Sequence, residues 1–179
     1  MYPQDKNLLI IGAGQYGLVA QEIALAMGCF NEIAFLDDSF PERHPRAGGG
    51  PATIGTTRDI VKFAKEFNFG FVAIGNPDVR RRLTDQLREN GLTPAILVHP
   101  QAYVSPSARL KKGCCIEPNA TVQAGAVVAA ASFVSSGAVV RHNATVGEFC
   151  HLDCNAVVES SAVVPPATKV PCNSVYTRG

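Results

Sequence analysis

The 179-residue sequence has no Trp, few aromatic residues (7%) and no excess of charge of either sign. A formal net charge of +1 excludes the strongly basic surface of a nucleic-acid-binding protein, so we expect no nucleic-acid partner. The N-terminal segment lacks a basic region followed by a cleavable apolar stretch, which predicts a cytoplasmic protein. With 46% hydrophobic residues, the chain is too apolar to be intrinsically disordered.

The six cysteines show no CxxC spacing, which argues against a zinc site. Because no secretion signal is evident, we expect a reducing compartment, in which disulfides are rare. We therefore predict free thiols that mostly fill small buried spaces, and no bound metal. These cysteines are Cys29, Cys114, Cys115, Cys150, Cys154 and Cys172.

A membrane span is also not expected. Residues Asn119–Val140 carry no charge, but Asn, Thr, Gln and Ser side chains interrupt them. A membrane helix needs about 20 predominantly apolar residues. The pattern of this run also continues on both sides, so it belongs to a longer repeat.

That repeat is the strongest signal in the sequence: thirteen hexads follow one another from Gln101 without an insertion. The fourth position of the hexad is apolar and mostly branched, as at Val122 and Val128. The second position is small, as at Ala120 and Ala126. A period of six fits neither an α-helix nor a hairpin, and it is typical of a parallel β-helix built from hexapeptides.

Three hexads would form one triangular coil, so that residues one coil apart stack at the strand spacing of about 4.8 Å. We expect the aliphatic position to fill the interior and the small position to lie where the backbone bends. Residues 101–179 hold 6 Lys or Arg and 4 Asp or Glu, against 10 and 11 in residues 1–100. This charge-poor surface is consistent with packing against copies of itself. The predicted β-helix domain covers residues 100–179.

Residues 1–99 form a second predicted domain, in which strands alternate with helices around a small parallel sheet. The Pro- and Gly-rich segment Ser39–Ala52 is predicted to be a loop. The predicted strands are Leu8–Ile11, Ile33–Leu36, Phe71–Ile74 and Ala95–Val98. The predicted helices are Tyr16–Met27, a helix from a capping box at Thr56 and Asp59 to about Phe67, and a helix from the N-cap Asn76 to near Gly91.

A Gly-rich motif, Gly12-Ala-Gly14-Gln-Tyr-Gly17, follows the first strand and opens the first helix. In this position backbone N–H groups and the positive end of the helix can bind a phosphate group. Asp37, at the end of the second strand, can accept a hydrogen bond from a ribose or a base. This pattern alone supports NAD as readily as another phosphate-containing ligand.

The succession IIGAGQYG, FLDD, AIGNPDVRRRL and LVHPQAYVSPSA, followed by hexapeptides, resembles the NeuD/PglD family of sugar acetyltransferases over nearly the whole chain. The resemblance implies an α/β fold plus a β-solenoid: a small parallel Rossmann-like sheet, then a left-handed parallel β-helix that forms a homotrimer. It also implies transfer of an acetyl group from acetyl-CoA, bound between neighbouring β-helices, to a nucleotide-linked amino sugar. The substrate-binding residues that it implies are Gly12, Gly14, Gly17, Asp37, Asp38, Gly75 and Asn76.

The segment GAVVRHNATVGEFCHLD resembles the catalytic stretch of that family and implies that His142 is the general base and that His151 contacts acetyl-CoA. His142 lies at a hexad corner, where its side chain can point outward, and imidazole suits proton abstraction near neutral pH. Asn143 would fix the imidazole tautomer. Ser160, 18 residues beyond His142, should stack on the next coil. The resemblance implies that its backbone N–H faces the thioester oxygen.

Departures from the family pattern support a second hypothesis, a non-catalytic subunit that binds a sugar nucleotide. Asn143 stands in place of an acidic residue, Ser160 in place of a glycine, and Tyr16 in place of a histidine. The sequence ends at YTRG, where family members continue through further coils, so we expect weaker CoA binding. A third hypothesis, a zinc enzyme of the γ-carbonic anhydrase kind, requires three His ligands, whereas the repeat contains only His142 and His151.

Overall fold

The computed structural model describes residues 6–41 and 52–178. The chain forms two compact units that divide between Ala95 and Ile96. The sequence places this boundary after residue 99. The structure divides earlier because Leu97–Val98 is already a strand of the β-helix, paired with Cys115–Ile116.

The described part of the first unit contains a five-stranded parallel sheet. Its elements are β1 (Asn7–Ile11), α1 (Gln15–Met27), β2 (Glu32–Leu36), β3 (Thr53–Gly55), α2 (Ile60–Phe63), β4 (Phe69–Val72), α3 (Pro77–Glu89) and β5 (Thr93–Pro94). A short 3₁₀ turn, Thr57–Asp59, precedes α2. The strand order is β3-β2-β1-β4-β5, and the central strand β1 is fully buried from Leu8 to Ile11, as a strand covered on both faces requires.

Local signals set the ends of the helices as predicted. Gly28 ends α1 in the left-handed conformation, with φ at 60°. Thr56 and Asp59 form the capping box before α2. The side chain of Asn76 caps α3 by accepting hydrogen bonds from two backbone N–H groups of the first turn, at 3.0 Å each.

Packing shifts two predicted elements. The helix predicted to reach Phe67 ends at Phe63, because the N–H groups of Glu66 and Phe67 both bond to the Phe63 carbonyl and the turn buries Phe67. The strand predicted at Phe71–Ile74 instead runs from Phe69 to Val72.

The earlier start of β4 depends on Gly70, a residue that by itself weakens a strand. A Cβ atom at Gly70 would lie 2.6 Å from Cδ2 of Leu87 on α3. The glycine therefore permits the close approach of the helix to the strand.

Two further strands differ from the prediction. The predicted strand Ala95–Val98 is wrong: Ala95 still donates its N–H to Gly70 beyond the end of β5, whereas Leu97 donates to Cys114 in the β-helix. The three-residue edge strand β3, which follows the Pro- and Gly-rich segment, was not predicted from the sequence. Of that segment, residues 42–51 lie outside the described residues.

The second unit is a left-handed parallel β-helix with three faces, as predicted. Face 1 comprises β7 (Tyr103–Val104), β10 (Thr121–Val122), β13 (Val139–Val140), β16 (Val157–Val158) and β19 (Val175–Tyr176). Face 2 comprises β8 (Arg109–Leu110), β11 (Val127–Val128), β14 (Thr145–Val146) and β17 (Val163–Val164). Face 3 comprises β6 (Leu97–Val98), β9 (Cys115–Ile116), β12 (Phe133–Val134), β15 (His151–Leu152) and β18 (Lys169–Val170).

The register confirms the 18-residue coil, since Val122 pairs with Val140 and Val140 with Val158. The second and fourth hexad positions both point into the interior, where Ala120 and Val122 are fully buried. This stack of small and branched apolar side chains is the core of the unit.

The prediction that the small second position lies at the bend is wrong. From Gly113 to Asn173 the first position of every hexad has a positive φ, between 53° and 82°. Gly and Asn tolerate this left-handed conformation best, and they hold most of these positions. The second position is small for another reason: it points inward beside the bend, where two faces converge and little space remains.

No helix among the described residues has the length and apolar character to cross a membrane. None of the six cysteines, all of which lie in the described part of the chain, is in a disulfide. Cys114, Cys115 and Cys150 are buried, whereas Cys154 and Cys172 are exposed. Burial raises the pKa of the Cys114 thiol from its ordinary value of 9.0 to about 11.

Replacing Leu152, which is fully buried in the β-helix, by Ala should lower the free energy of unfolding by about 2–5 kcal/mol, because its contacts are lost and a cavity remains. Leu25→Ala, at an exposed site on α1, should change it by less than about 0.5 kcal/mol. Urea unfolding followed by circular dichroism measures both. Equal losses in the two variants would contradict the interior placement of Leu152.

The Cys114 thiol should give the protein a pH-dependent stability. A pKa raised from 9.0 to about 11 means that the folded thiol keeps its proton while the unfolded thiol ionises. The contribution of the protonated thiol to the free energy of unfolding is therefore complete below pH 9 and is lost as the pH rises towards 11. Thermal unfolding between pH 8 and pH 10.5 should show a smaller decline in Cys114→Ala than in the parent protein. An identical decline would show that this thiol does not titrate as described.

Candidate active site

The Gly-rich loop lies at the carboxyl end of β1, beside the carboxyl end of β4. The chain leaves β1 towards β2 on one side and reaches β4 on the other, so the topological switch point lies between β1 and β4. In open parallel α/β sheets, ligands bind in the crevice at this point. The structure brings the predicted residues Gly12, Asp37 and Gly75 to this edge, each directly after or close to the end of its strand.

Two positions of the loop require glycine, because a backbone carbonyl oxygen lies close to where a Cβ atom would be. A Cβ atom at Gly17 would lie 2.1 Å from the carbonyl oxygen of Gly12. A Cβ atom at Gly12, whose φ is 103°, would lie 3.1 Å from the carbonyl oxygen of Ala73. The third glycine, Gly14, is the N-cap of α1 and has no side chain that could cap the helix. The first-turn N–H groups of α1 lack intrahelical partners, which makes this end of the helix suitable for an anion.

The two predicted aspartates connect the loops of this edge. Asp37 accepts hydrogen bonds from the backbone N–H of Ala13 (2.7 Å), from the backbone N–H of Ser39 (2.9 Å) and from the Ser39 hydroxyl. Asp38 accepts from the backbone N–H and the hydroxyl of Thr57, at 2.9 and 2.8 Å. Both carboxylates thus have structural partners, and their contact with a nucleoside stays a prediction.

The turn after β4 is held from within by Arg80, which was not among the site residues predicted from the sequence. Arg80 is only 1% exposed, and its Nη1 donates to the carbonyl oxygens of Ile74 (2.6 Å) and Gly75 (2.9 Å). Asn76 is committed to capping α3. A sequence signal for Arg80 exists, because it shares a helix face with the buried leucines three and seven positions further along.

In the β-helix, His142 and Ser160 stack one coil apart, as predicted. Both lie at the vertex between face 1 and face 2, and the Ser160 hydroxyl is 3.3 Å from Nδ1 of His142. The His142 backbone is fixed on both sides: its N–H donates to the Gln123 side chain (3.1 Å) and its carbonyl accepts from Ser161 (3.0 Å). The imidazole is exposed, as a group that must reach a substrate requires.

Asn143 does not contact the His142 imidazole. It occupies the left-handed first position of its hexad, with φ at 58°. Its Oδ1 lies against Gly125 of the preceding coil, 2.4 Å from where a Cβ atom of that glycine would be. In this structure Ser160, and not Asn143, is the residue in position to orient the imidazole.

His151 lies on face 3 within a polar cluster. Its Nε2 is 3.1 Å from the Ser135 hydroxyl and 3.4 Å from Oδ1 of Asp153. The second carboxylate oxygen of Asp153 is paired with Lys169 at 3.1 Å. The Phe133 ring packs edge-on against the imidazole, with centroids 5.5 Å apart. These contacts fix the ring on the outer surface of the face.

The two predicted histidines do not meet within one chain. His142 lies at the vertex between faces 1 and 2, and His151 lies on face 3, the side of a triangular prism opposite that vertex. A site containing both imidazoles therefore needs His142 of one chain and His151 of another. Among the described residues no group of three or more His, Cys, Asp or Glu side chains is arranged to hold a metal ion.

Comparison with known proteins shows that the same group of proteins resembles both units of the chain. Residues 7–87 match the family described as PglD N-terminal domain. UDP-N-acetylbacillosamine N-acetyltransferase from Bacillus subtilis (strain 168) is 30% identical over 113 residues, which cover 62% of this chain. The match spans about half of that relative's own length (51%).

Solved structures resemble the chain over almost its whole length. The acetyltransferase domain of PglB from Neisseria gonorrhoeae is 29% identical, with a TM-score of 0.82, and the match covers 96% of this chain and 91% of that one. A structure of that domain in complex with acetyl coenzyme A has a TM-score of 0.80, with 28% identity over 97% of this chain and 93% of that one. PerB from Caulobacter crescentus, solved with CoA and GDP-perosamine, is 25% identical with a TM-score of 0.80, covering 96% of this chain and 89% of that one.

Gly17→Ala should destabilise the first unit by more than about 2 kcal/mol, because the new Cβ atom meets a backbone oxygen that cannot move away independently. Gly75→Ala is the matched control, since nothing lies within 4 Å of the place where its Cβ atom would be and its φ is outside the left-handed region. Thermal unfolding of the two variants checks the difference. A Gly17→Ala protein as stable as Gly75→Ala would contradict the tight loop.

Proposed function

We propose that the chain is a sugar acetyltransferase of the NeuD/PglD family, and that it uses acetyl-CoA to acetylate the amino group of a nucleotide-linked sugar. The amine is favoured over a hydroxyl as acceptor because the Bacillus subtilis relative is a UDP-N-acetylbacillosamine N-acetyltransferase and a similar solved structure is a perosamine N-acetyltransferase from Caulobacter crescentus. A homotrimeric assembly and a cytoplasmic location are part of this proposal.

The observation that carries the proposal is that one chain contains two candidate sites, one in each unit. The first unit offers an uncapped helix start behind the loop Gly12–Gly17, which suits a diphosphate. The second unit offers an exposed imidazole, His142, whose Nδ1 lies 3.3 Å from a hydroxyl. Relatives that match both units were solved with acetyl coenzyme A, or with CoA together with GDP-perosamine.

His142 acts as the general base through Nε2. We assign Nδ1–H of His142 as the donor to the Ser160 hydroxyl, 3.3 Å away, which leaves the lone pair of Nε2 free to act as the base. Nε2 takes a proton from the sugar amine as its nitrogen attacks the thioester carbonyl carbon. The C–N bond forms, the C–S bond then breaks, and His142 returns the proton to the leaving thiolate of CoA. The backbone N–H of Ser160 is assigned to the oxyanion that develops on the carbonyl oxygen.

Neighbouring copies complete this site. Because His151 faces away from His142 of the same chain, we place acetyl-CoA between His142 of one copy and His151 of the next. The outward positions of faces 1 and 2 include apolar side chains such as Val139, Val157 and Val163, and the last is 65% exposed in the single chain. A trimer would bury such positions, as a charge-poor solenoid surface requires.

The second candidate function is a non-catalytic subunit that binds a sugar nucleotide. One observation favours it: Asn143 lies against Gly125 and supplies neither charge nor contact to the His142 imidazole. A base without a carboxylate partner is less able to stabilise its protonated form. Calorimetry separates the two candidates, because the non-catalytic subunit would bind a sugar nucleotide but not CoA.

The purified protein, mixed with acetyl-CoA and a panel of UDP- and GDP-linked amino sugars, should release free thiol with at least one of them. His142→Ala should lower this rate by about 100-fold or more, because general-base catalysis contributes about 10²–10⁴. Ser160→Ala should lower it less, since only the orientation of the ring is lost. Sedimentation and CoA titration serve as controls for assembly and cofactor binding. No thiol release above that of His142→Ala with any acceptor would contradict the proposed activity.

A further inference from the structure

Three consecutive arginines on α3 have different surroundings. Arg81 and Arg82 are exposed, as charged side chains normally are, whereas Arg80 is 1% exposed. Taking a guanidinium out of water costs several kcal/mol unless the protein returns comparable interactions. A position that keeps such a group buried, on a helix face shared with Leu83 and Leu87, needs a physical reason.

Arg80 makes its hydrogen bonds at the carboxyl edge of the sheet. Its Nη1 donates to the carbonyl oxygens of Ile74 and Gly75, in the turn that follows β4. Carbonyl oxygens at this edge would otherwise present the negative ends of their dipoles to the crevice. Instead, these two carbonyl oxygens accept hydrogen bonds from the positively charged Arg80 guanidinium. Hydrogen bonds to a charged group are stronger than neutral ones, so the turn is held firmly.

This turn is also the wall on which the Gly-rich loop packs. A Cβ atom at Gly12 would lie 3.1 Å from the Ala73 carbonyl oxygen and 3.2 Å from Cγ1 of Ile74. Gly17 in turn packs on Gly12. A continuous series of close contacts therefore connects the residues that Arg80 holds to the start of α1, the proposed phosphate site.

The carboxyl edge of the sheet carries negative charge. Asp37 and Asp38 place two carboxylates there, and a diphosphate would add further negative charge. The helix α3 cannot offset it through its own N-terminus, because Asn76 already accepts from the first N–H groups and Asp78 lies in the first turn. A buried positive charge is screened little by salt and acts over the short distances of this edge.

We propose that Arg80 is a positioning residue for the diphosphate of the nucleotide-linked sugar. It holds the carbonyl oxygens of residues 74 and 75 away from the anion. Its positive charge also offsets the negative charge of the two carboxylates at this edge. This inference rests on the proposed function of the first unit as a sugar-nucleotide site. It assigns to Arg80 selectivity for the charged diphosphate over the uncharged nucleoside.

The test uses the full chain and four simple probes: UDP, GDP and their nucleosides uridine and guanosine. Calorimetry and NMR titration give the affinity ratio of nucleoside diphosphate to nucleoside for the better-bound base. Arg80→Met keeps the length and apolar stem of the side chain and removes the charge. Arg80→Gln also removes the charge but keeps an N–H donor. Arg82→Met, on the exposed side of the same helix, is the matched control.

Arg80→Met should weaken binding of the diphosphate by about 10- to 100-fold, the range that loss of charged hydrogen bonds gives. Nucleoside binding should change by less than about threefold, because a nucleoside carries no charge for Arg80 to offset. Arg82→Met should leave both affinities unchanged. Circular dichroism and CoA binding report whether each variant is folded, and Arg80→Gln decides by the same ratio where Arg80→Met does not fold.

Two outcomes would overturn the inference, and they are distinguishable. If the parent protein binds diphosphates and an Arg80 variant keeps the same ratio of diphosphate to nucleoside affinity, Arg80 is only structural while the proposed function stands. If the parent protein binds neither UDP nor GDP, the sugar-nucleotide site itself is wrong, and the role of Arg80 fails with it.

Discussion

The stacking of one β-helix coil on the next, with an 18-residue period, is the constraint on which the candidate catalytic site depends. Most backbone hydrogen bonds of each coil are made with the coils above and below, so the faces stay in register from coil to coil. The same period places Ser160 directly over His142, at 3.3 Å from its imidazole. The close approach of these two side chains therefore follows from the regularity that also builds the core.

That regularity also limits what a single chain can do. A three-sided coil places residues about half a coil apart on opposite sides, which is the relation between His142 and His151. Side chains on opposite sides of a packed prism cannot approach one another. The proposed chemistry, which uses both imidazoles, therefore requires an assembly of copies.

The first unit depends on a different kind of constraint, the close approach of backbone to backbone at the switch point of the sheet. Gly17 fits over Gly12, and Gly12 fits against the turn that Arg80 holds. Because each contact lies at or below ordinary van der Waals separation for a Cβ atom, the position of the loop is fixed by its neighbours. A rigid loop of this kind orients its backbone N–H groups before a ligand arrives, which reduces the ordering cost of binding.

The sequence by itself determined the features that repeat or depend on a local signal: the β-helix from its period of six, the Gly-rich loop between β1 and α1, the caps at Gly28 and Asn76, and the stacking of Ser160 on His142. Tertiary structure alone decided what depends on residues distant in the chain. Pairing with β1 starts β4 at Phe69, and Leu87 packs closely on Gly70 of that strand. Leu97–Val98 pairs with the β-helix and not with the parallel sheet, and Asn143 lies against Gly125 of the preceding coil. Arg80 belongs only partly to this second group: its helical spacing from Leu83 and Leu87 indicates the buried arginine of the run, whereas its hydrogen bonds to the turn after β4 are evident only from the structure. The physical reason is the same in each case: periodicity and capping act between near neighbours, whereas burial and close packing depend on which distant segment fills the available space.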